Sequence, residues 1–176
     1  MKAMVATDQA AGTAGVKLVE RPEPQAAIND VVVQIHASGF TGDELTWPST
    51  WTDRAGRDRT PSIPGHELAG VVTALGYGTT GLSIGQRVFG LTDWYRDGTL
   101  AEYVAVEARN LTPLPGDVDF AVGAALVMPG LTAWQGLFTS SLVYSEYGRG
   151  RSDRFLPCRR GKAHLKLPDC RERARR

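Results

Sequence analysis

Apolar and polar positions alternate along much of the first 110 residues, and the alternation predicts a series of strands. "KAMVAT" (Lys2–Thr7) alternates with period two, and "GVKLVE" (Gly15–Glu20) follows across a Gly/Ala turn. A connection with two prolines, "RPEPQAAIND", ends in the turn residues Asn29 and Asp30. "VVVQIHASGF" (Val31–Phe40) reads as a long strand whose small residues Ala37 to Gly39 imply close backbone approach near its end. "TGDELTW" predicts one helical turn with Thr41 as its cap. "PSTWTDRAGRDRTPSIPG" then reads as a polar loop with three prolines, long enough to serve a site. Further strands are expected at Glu67–Leu75, Ile84–Leu91 and Leu100–Val106.

The period changes after that. "DVDFAVGAALVMPGLTAWQGLF" (Asp117–Phe138) opens with Asp117 and Asp119, which suit a helix N-terminus, and continues with small and apolar residues. Pro129 is expected to break or kink this helix. The fold class is therefore mainly β, a barrel or sandwich with a few short helices, ending in a helical segment. No run of about eighteen apolar residues is present, so no transmembrane helix and no membrane partner are expected. The N-terminus has no apolar stretch of signal-peptide length, and both cysteines, Cys158 and Cys170, lie near the C-terminus; together these lead to the expectation of a cytoplasmic protein.

Charge divides the chain. Residues 139–176 contain nine Arg and two Lys against two Asp and two Glu, a balance of +7 that leaves −6 for residues 1–138 under the overall +1. The same 38 residues contain only six Leu, Ile, Val or Phe, too few to offset the entropy of ordering them. Two parts are expected: a globular domain over 1–138 and a disordered basic tail over 139–176. An Arg-rich, aliphatic-poor stretch without hydrophobic period is also what a GC-rich gene yields when read out of frame, so the tail is expected to begin at a frameshift near codon 139. Eleven cations could gather phosphates nonspecifically, but Cys158, Cys170 and His164 lack zinc-knuckle spacing and no stacking pattern accompanies them, so no specific nucleic acid partner is expected.

"LGYGTTG" (Leu75–Gly81) carries G-x-G-x-x-G, the spacing of a dinucleotide cradle. That chemistry requires a strand before the glycines and a helix after them, so that free N–H groups meet the pyrophosphate. Here "LSIGQRVFGL" follows and reads as a strand, which makes Gly76, Gly78 and Gly81 turn glycines between two strands.

Several motifs in order carry a family resemblance. In "IPGHELAGVVTALGYGTTGLSIGQRVFG" (Ile63–Gly90), the residues Gly65, His66, Glu67, Gly70 and Gly76 match the spacing of the zinc alcohol dehydrogenase signature, with Thr79 departing from it. "DGTLAEYV" (Asp97–Val104) and "MPGLTAW" (Met128–Trp134) resemble further family segments. Over Met1 to Phe138 the chain thus resembles the medium-chain dehydrogenase/reductase superfamily, and the resemblance implies a GroES-like barrel. The family's catalytic zinc ligands would fall on Thr41, His66 and near Met128; only His66 is a usual zinc donor, so zinc is not expected.

Retention of the barrel without the ligands resembles the zinc-independent quinone oxidoreductase branch. That implies hydride transfer from NADPH to a small-molecule substrate, a quinone or activated carbonyl. By resemblance, Thr41, Asp43 and His66 take the catalytic positions, Trp47 and Trp51 are candidate walls for a planar substrate, and Thr132 is the candidate contact to the nicotinamide amide. The ordinary alternatives, packing for the tryptophans and helix capping for Thr132, stay open at this point. "GRGRSD" (Gly148–Asp153) has neither a strand before it nor a helix pattern after it, so the nucleotide domain is expected to be missing and the chain to be an inactive substrate or lid domain. Its face around Ala121–Trp134 would then be uncovered and would favour self-association. A zinc-type alcohol dehydrogenase fragment and a stand-alone GroES-like binding module are the alternative functions.

Overall fold

In a computed structural model, residues 1–138 are described. The basic segment 139–176, with its expected disorder, the frameshift, the two cysteines and "GRGRSD", lies outside the described residues.

Among the described residues, seven strands form two antiparallel sheets. β1 (Lys2–Ala6) pairs with β2 (Val16–Glu20), Lys2 opposite Glu20 and Ala6 opposite Val16. The larger sheet contains β3 (Asp30–Gly39), β4 (Glu67–Leu75), β5 (Arg87–Leu91), β6 (Tyr103–Glu107) and β7 (Leu111–Pro113), in the order β6-β3-β4-β5-β7. Alternation explains the pairing: Val31, Val33, Leu68, Val72, Val88, Val104 and Val106 point to one buried cluster from four strands. Register shifts at Val32/Val33 and Ile35/Ala37 bend β3 against β4. Backbone bonds from Met4 N–H to Leu100 O and from Ala6 N–H to Ser62 O, both 2.8 Å, tie the small sheet to the loops of the large one. The mainly β class expected from the alternation is the class observed.

Several boundaries shift for local reasons. β5 begins at Arg87 and not at Ile84, because Ser83–Gln86 forms a turn in which Gly85 takes φ +83° and Ile84 is exposed. β6 begins at Tyr103 because Leu100 and Ala101 engage β1 instead. The three-proline loop contains a single-turn helix, α1 (Pro48–Trp51), with Pro48 at its start, where a missing N–H costs nothing. The short β7 was not anticipated.

"LGYGTTG" is a turn between β4 and β5, as its flanking strands predict. A Cβ at Gly76 would lie 1.8 Å from Ala27 O, so this glycine serves close backbone approach. Thr79 Oγ1 donates to Asp30 O at 2.8 Å from the same turn.

α2 (Phe120–Phe138) begins as Asp119 predicts: its carboxylate accepts the Ala121 N–H at 2.7 Å. The expected break at Pro129 does not occur, and the helix runs through it. Proline removes one N–H, and the carbonyl it would have served belongs to Ala125, an exposed residue where water can take the donor's place. Phe120–Leu137, mean hydropathy 1.3, is long and apolar enough by length and composition to cross a membrane, which the sequence expectation did not allow for. Gly123, Ala124 and Val127 form its buried face, with Ala124 packing beside Ala69 and Leu114.

Candidate active site

His66 is the last residue before β4. Gly65 precedes it at φ +89°, and a Cβ there would stand 2.6 Å from Thr99 Oγ1, so glycine permits the approach that turns His66 inward. The His66 side chain is 3% exposed. Its Nδ1 lies 3.1 Å from Thr92 Oγ1, whereas Nε2 has no hydrogen-bond partner among the described residues. Glu44 Oε2 is 3.8 Å from Nε2, beyond hydrogen-bond length.

Aromatic rings enclose the imidazole. Trp47 lies nearly parallel to it at 5.9 Å between centroids, and Trp94 meets it edge-on at 4.5 Å. Trp94 is itself perpendicular to Trp47 at 5.1 Å. Arg59 donates to Ser49 O and Trp94 O, linking α1 to the loop that carries Trp94. Burial first, and then the Arg59 charge, lower the His66 pKa from 6.5 to about 4 against the opposing effect of Asp93. The ring is therefore neutral at physiological pH.

Two carboxylates are buried in this region, Glu44 beside the ring and Glu67 next to His66 in the chain. Glu44 reaches back along its 3-10 turn (Gly42–Thr46), accepting the Thr41 N–H at 3.2 Å and the Gly65 N–H at 3.0 Å. Burial raises its pKa, against the lowering effect of those two N–H groups. Glu67 accepts the Met128 N–H at 2.8 Å and so joins β4 to the middle of α2. Gly39 leaves the space that Glu67 fills, since a Cβ there would be 2.2 Å from Glu67 Oε2.

Beyond Trp94 a groove of about 700 Å³ runs between α2 and the β5–β7 edge. Thr92 and Trp94, which touch His66, also line this groove. The buried ring and the groove are thus neighbours.

The residues proposed from sequence fall in different places. Trp47 packs on His66 as a wall of the site. Thr41 and Asp43 are exposed on the turn that carries Glu44. Trp51 sits in a separate apolar group with Ala6 and Leu45, its Nε1 donating to Leu45 O at 2.8 Å. Thr132 is exposed on α2, inside the helix and not at its cap. Sequence reasoning missed Glu44, Thr92 and Trp94. The signal for Glu44 was present in Thr41-x-x-Glu44, the residue pattern of a capping box. Trp94 had none, because "TDWYRDG" is irregular.

By their donor chemistry the described residues do not fit zinc, and the glycine turn does not fit a pyrophosphate. No cluster of three His, Cys, Asp or Glu is present among them, and a hydroxyl stands at Thr41, so the chemistry of the donor set does not fit zinc. The G-x-G-x-x-G turn leads into a strand, so it does not fit a pyrophosphate.

Residues 27–116 match the family of the alcohol dehydrogenase GroES-like domain, more than half of the chain. The chain belongs to this family. It lies within the medium-chain dehydrogenase/reductase superfamily, as its similarities place it. It is 36% identical over 121 residues to the quinone oxidoreductase of Rattus norvegicus, covering 68% of this chain and 35% of that protein. It is 31% identical over 149 residues to the L-threonine 3-dehydrogenase of Ruegeria pomeroyi, covering 70% and 43%. The solved quinone oxidoreductase of Coxiella burnetii superposes with a TM-score of 0.70 at 25% identity, over 80% of this chain and 45% of that one. This GroES-like chain therefore spans less than half the length of these relatives.

Proposed function

We propose that this barrel forms the acceptor side of an NADPH-dependent oxidoreductase of the quinone reductase type, with a quinone or activated carbonyl as substrate. The carrying observation is His66: a buried, neutral imidazole with one ring nitrogen unpartnered among the described residues, next to a groove of mixed polarity. The similarity to quinone oxidoreductases supports the same reading. NADPH, when bound, supplies the hydride that reduces the acceptor.

The described residues act on the acceptor. In the tautomer that carries its proton on Nε2, Nδ1 accepts from the Thr92 hydroxyl and Nε2 can donate to a carbonyl oxygen. The low pKa keeps that donor uncharged, which suits a neutral substrate in a water-poor crevice. Trp47, half-buried, lies over the face of the ring, and Glu44 Oε2 is the carboxylate oxygen nearest Nε2 at 3.8 Å. Thr41 and Asp43 stand at the rim on the same turn as Glu44, and Thr132 remains the candidate contact to the nicotinamide amide. This reading assigns the segment from Thr139 no part in acceptor binding. Val122 and Leu137 on α2 are exposed and lie outside the groove, and such apolar surface favours self-association.

A fully substituted quinone, 2,3-dimethoxy-5,6-dimethyl-1,4-benzoquinone, tests the reading. Its binding should quench tryptophan fluorescence and shift the His66 ring-nitrogen resonance, and His66→Ala should weaken it. An unmoved His66 resonance at saturating quinone would overturn the assignment.

A further inference from the structure

Thr92–Gly98 is a loop with fixed ends that belongs to no strand. The Thr92 N–H donates to His66 O at 2.8 Å and the Gly98 N–H to Ile63 O at 2.7 Å, so both ends rest on the segment leading into β4. A compact surface loop with its ends held together is a common carrier of function. Between those ends, among the described residues, side chains hold it. Arg54 donates to Asp93, Arg59 donates to Trp94 O at 3.3 Å, and Asp97 accepts the Ile63 N–H at 3.1 Å. The Asp93 and Asp97 side chains are 18% and 50% exposed, and ion pairs open to water fix little.

Arg96 is held differently. Its guanidinium straddles the Asp30 carboxylate, with Nη1 donating at 3.0 Å and Nη2 at 2.5 Å, and that carboxylate is 2% exposed. A forked pair on a buried carboxylate fixes direction as well as distance. Asp30 is itself a rigid post: its carbonyl accepts the Gly76 N–H and the Thr79 hydroxyl, both at 2.8 Å. The "LGYGTTG" turn, which does not fit a pyrophosphate, thus braces the anchor of this loop.

We propose that Thr92–Gly98 is a flap over the acceptor site and that Arg96 is its positioning residue, latched to Asp30 so that Trp94 stays against His66. Trp94 meets the imidazole and also lines the groove, so its movement joins the two. With the latch closed, His66 Nε2 is buried; with it open, water and an acceptor reach the ring. What enters rests on the acceptor-side reading above, whereas the enclosure of His66 does not.

Arg96→Gln cuts the latch but leaves a buried carboxylate unpaired, so Asp30→Asn/Arg96→Gln, which removes both charges, is measured beside it. Arg57→Gln is the control, because its exposed pair with Asp53 does not touch the flap. Histidine ring-nitrogen NMR on the folded proteins follows His66, and His36, stacked on Phe120, reports any wider disturbance. Stopped-flow tryptophan quenching with the 2,3-dimethoxy-5,6-dimethyl quinone gives the association rate. Both latch variants should raise the His66 pKa from about 4 toward 6.5 and speed quinone association several-fold, with the His36 resonance unmoved and Arg57→Gln like the wild type. An unchanged His66 pKa, a His36 resonance that moves with it, or association no faster while quinone still moves the His66 resonance overturns the flap and leaves the acceptor-side reading standing. A raised His66 pKa in variants whose His66 resonance ignores saturating quinone supports the latch and removes the acceptor-side reading.

Discussion

Acidification should cost this protein stability through His66. An unfolded histidine titrates near 6.5, whereas the buried one titrates near 4, so between these values the unfolded chain binds a proton that the folded chain refuses. The contribution is fully present above the unfolded pKa and is lost as pH falls through that window. Taking both pKa values, moving from about pH 7.5 to about pH 4.5 should remove roughly 2.5 kcal/mol. Glu44 works in the opposite direction, because its raised pKa makes the folded state the better proton acceptor just above 4.5. Glu44 is retained in His66→Gln, so the difference between the two proteins reports the imidazole together with its coupling to the carboxylate 3.8 Å away. Urea unfolding of both proteins across this pH range gives the difference directly. The wild type should lose about 2.5 kcal/mol more than His66→Gln. Parallel stability curves, or a His66 resonance titrating near 6.5, would refute the burial argument.

Three further outcomes are expected. Gly76→Ala should destabilise the barrel by about 1–3 kcal/mol in urea, since its Cβ meets Ala27 O, whereas Gly116→Ala, with no atom within 4 Å of its Cβ, should be nearly neutral. Glu67→Ala should cost about 1–3 kcal/mol by leaving the Met128 N–H without its acceptor, and Glu67→Gln, which keeps an acceptor oxygen, should cost less. Elemental analysis of purified protein should find no stoichiometric zinc; about one zinc per chain, lost in His66→Ala, would restore the alcohol dehydrogenase alternative.

Sequence alone conveyed the sheet better than the site, for physical reasons. Glu67–Leu75 was legible to the residue because a continuous apolar run ends at turn glycines. β7 is three residues long and ends in proline, too short for a period to show. Pro129 carries a strong local prohibition against a helix, yet its cost is one hydrogen bond at an exposed turn, and the flanking turns still close. At the site, the family motif exposed His66, but what makes the residue unusual is its enclosure. Trp94 and Thr92 come from a loop about 26 residues downstream, and their approach to His66 depends on β5 pairing with β4, which no local pattern encodes. Trp47 and Trp51 are four residues apart and equivalent in sequence terms; the single turn of α1 sends one to the imidazole and the other to the Leu45 core.

The central claim is that these residues receive the acceptor without cradling the nucleotide, and calorimetric titration of the chain with NADPH tests it most directly. A single hydrogen bond from Thr132 contributes about 0.5–1.5 kcal/mol, against the roughly 8 kcal/mol that micromolar affinity requires. The account predicts no saturable heat in the micromolar range; micromolar NADPH binding with quinone-dependent turnover would contradict it.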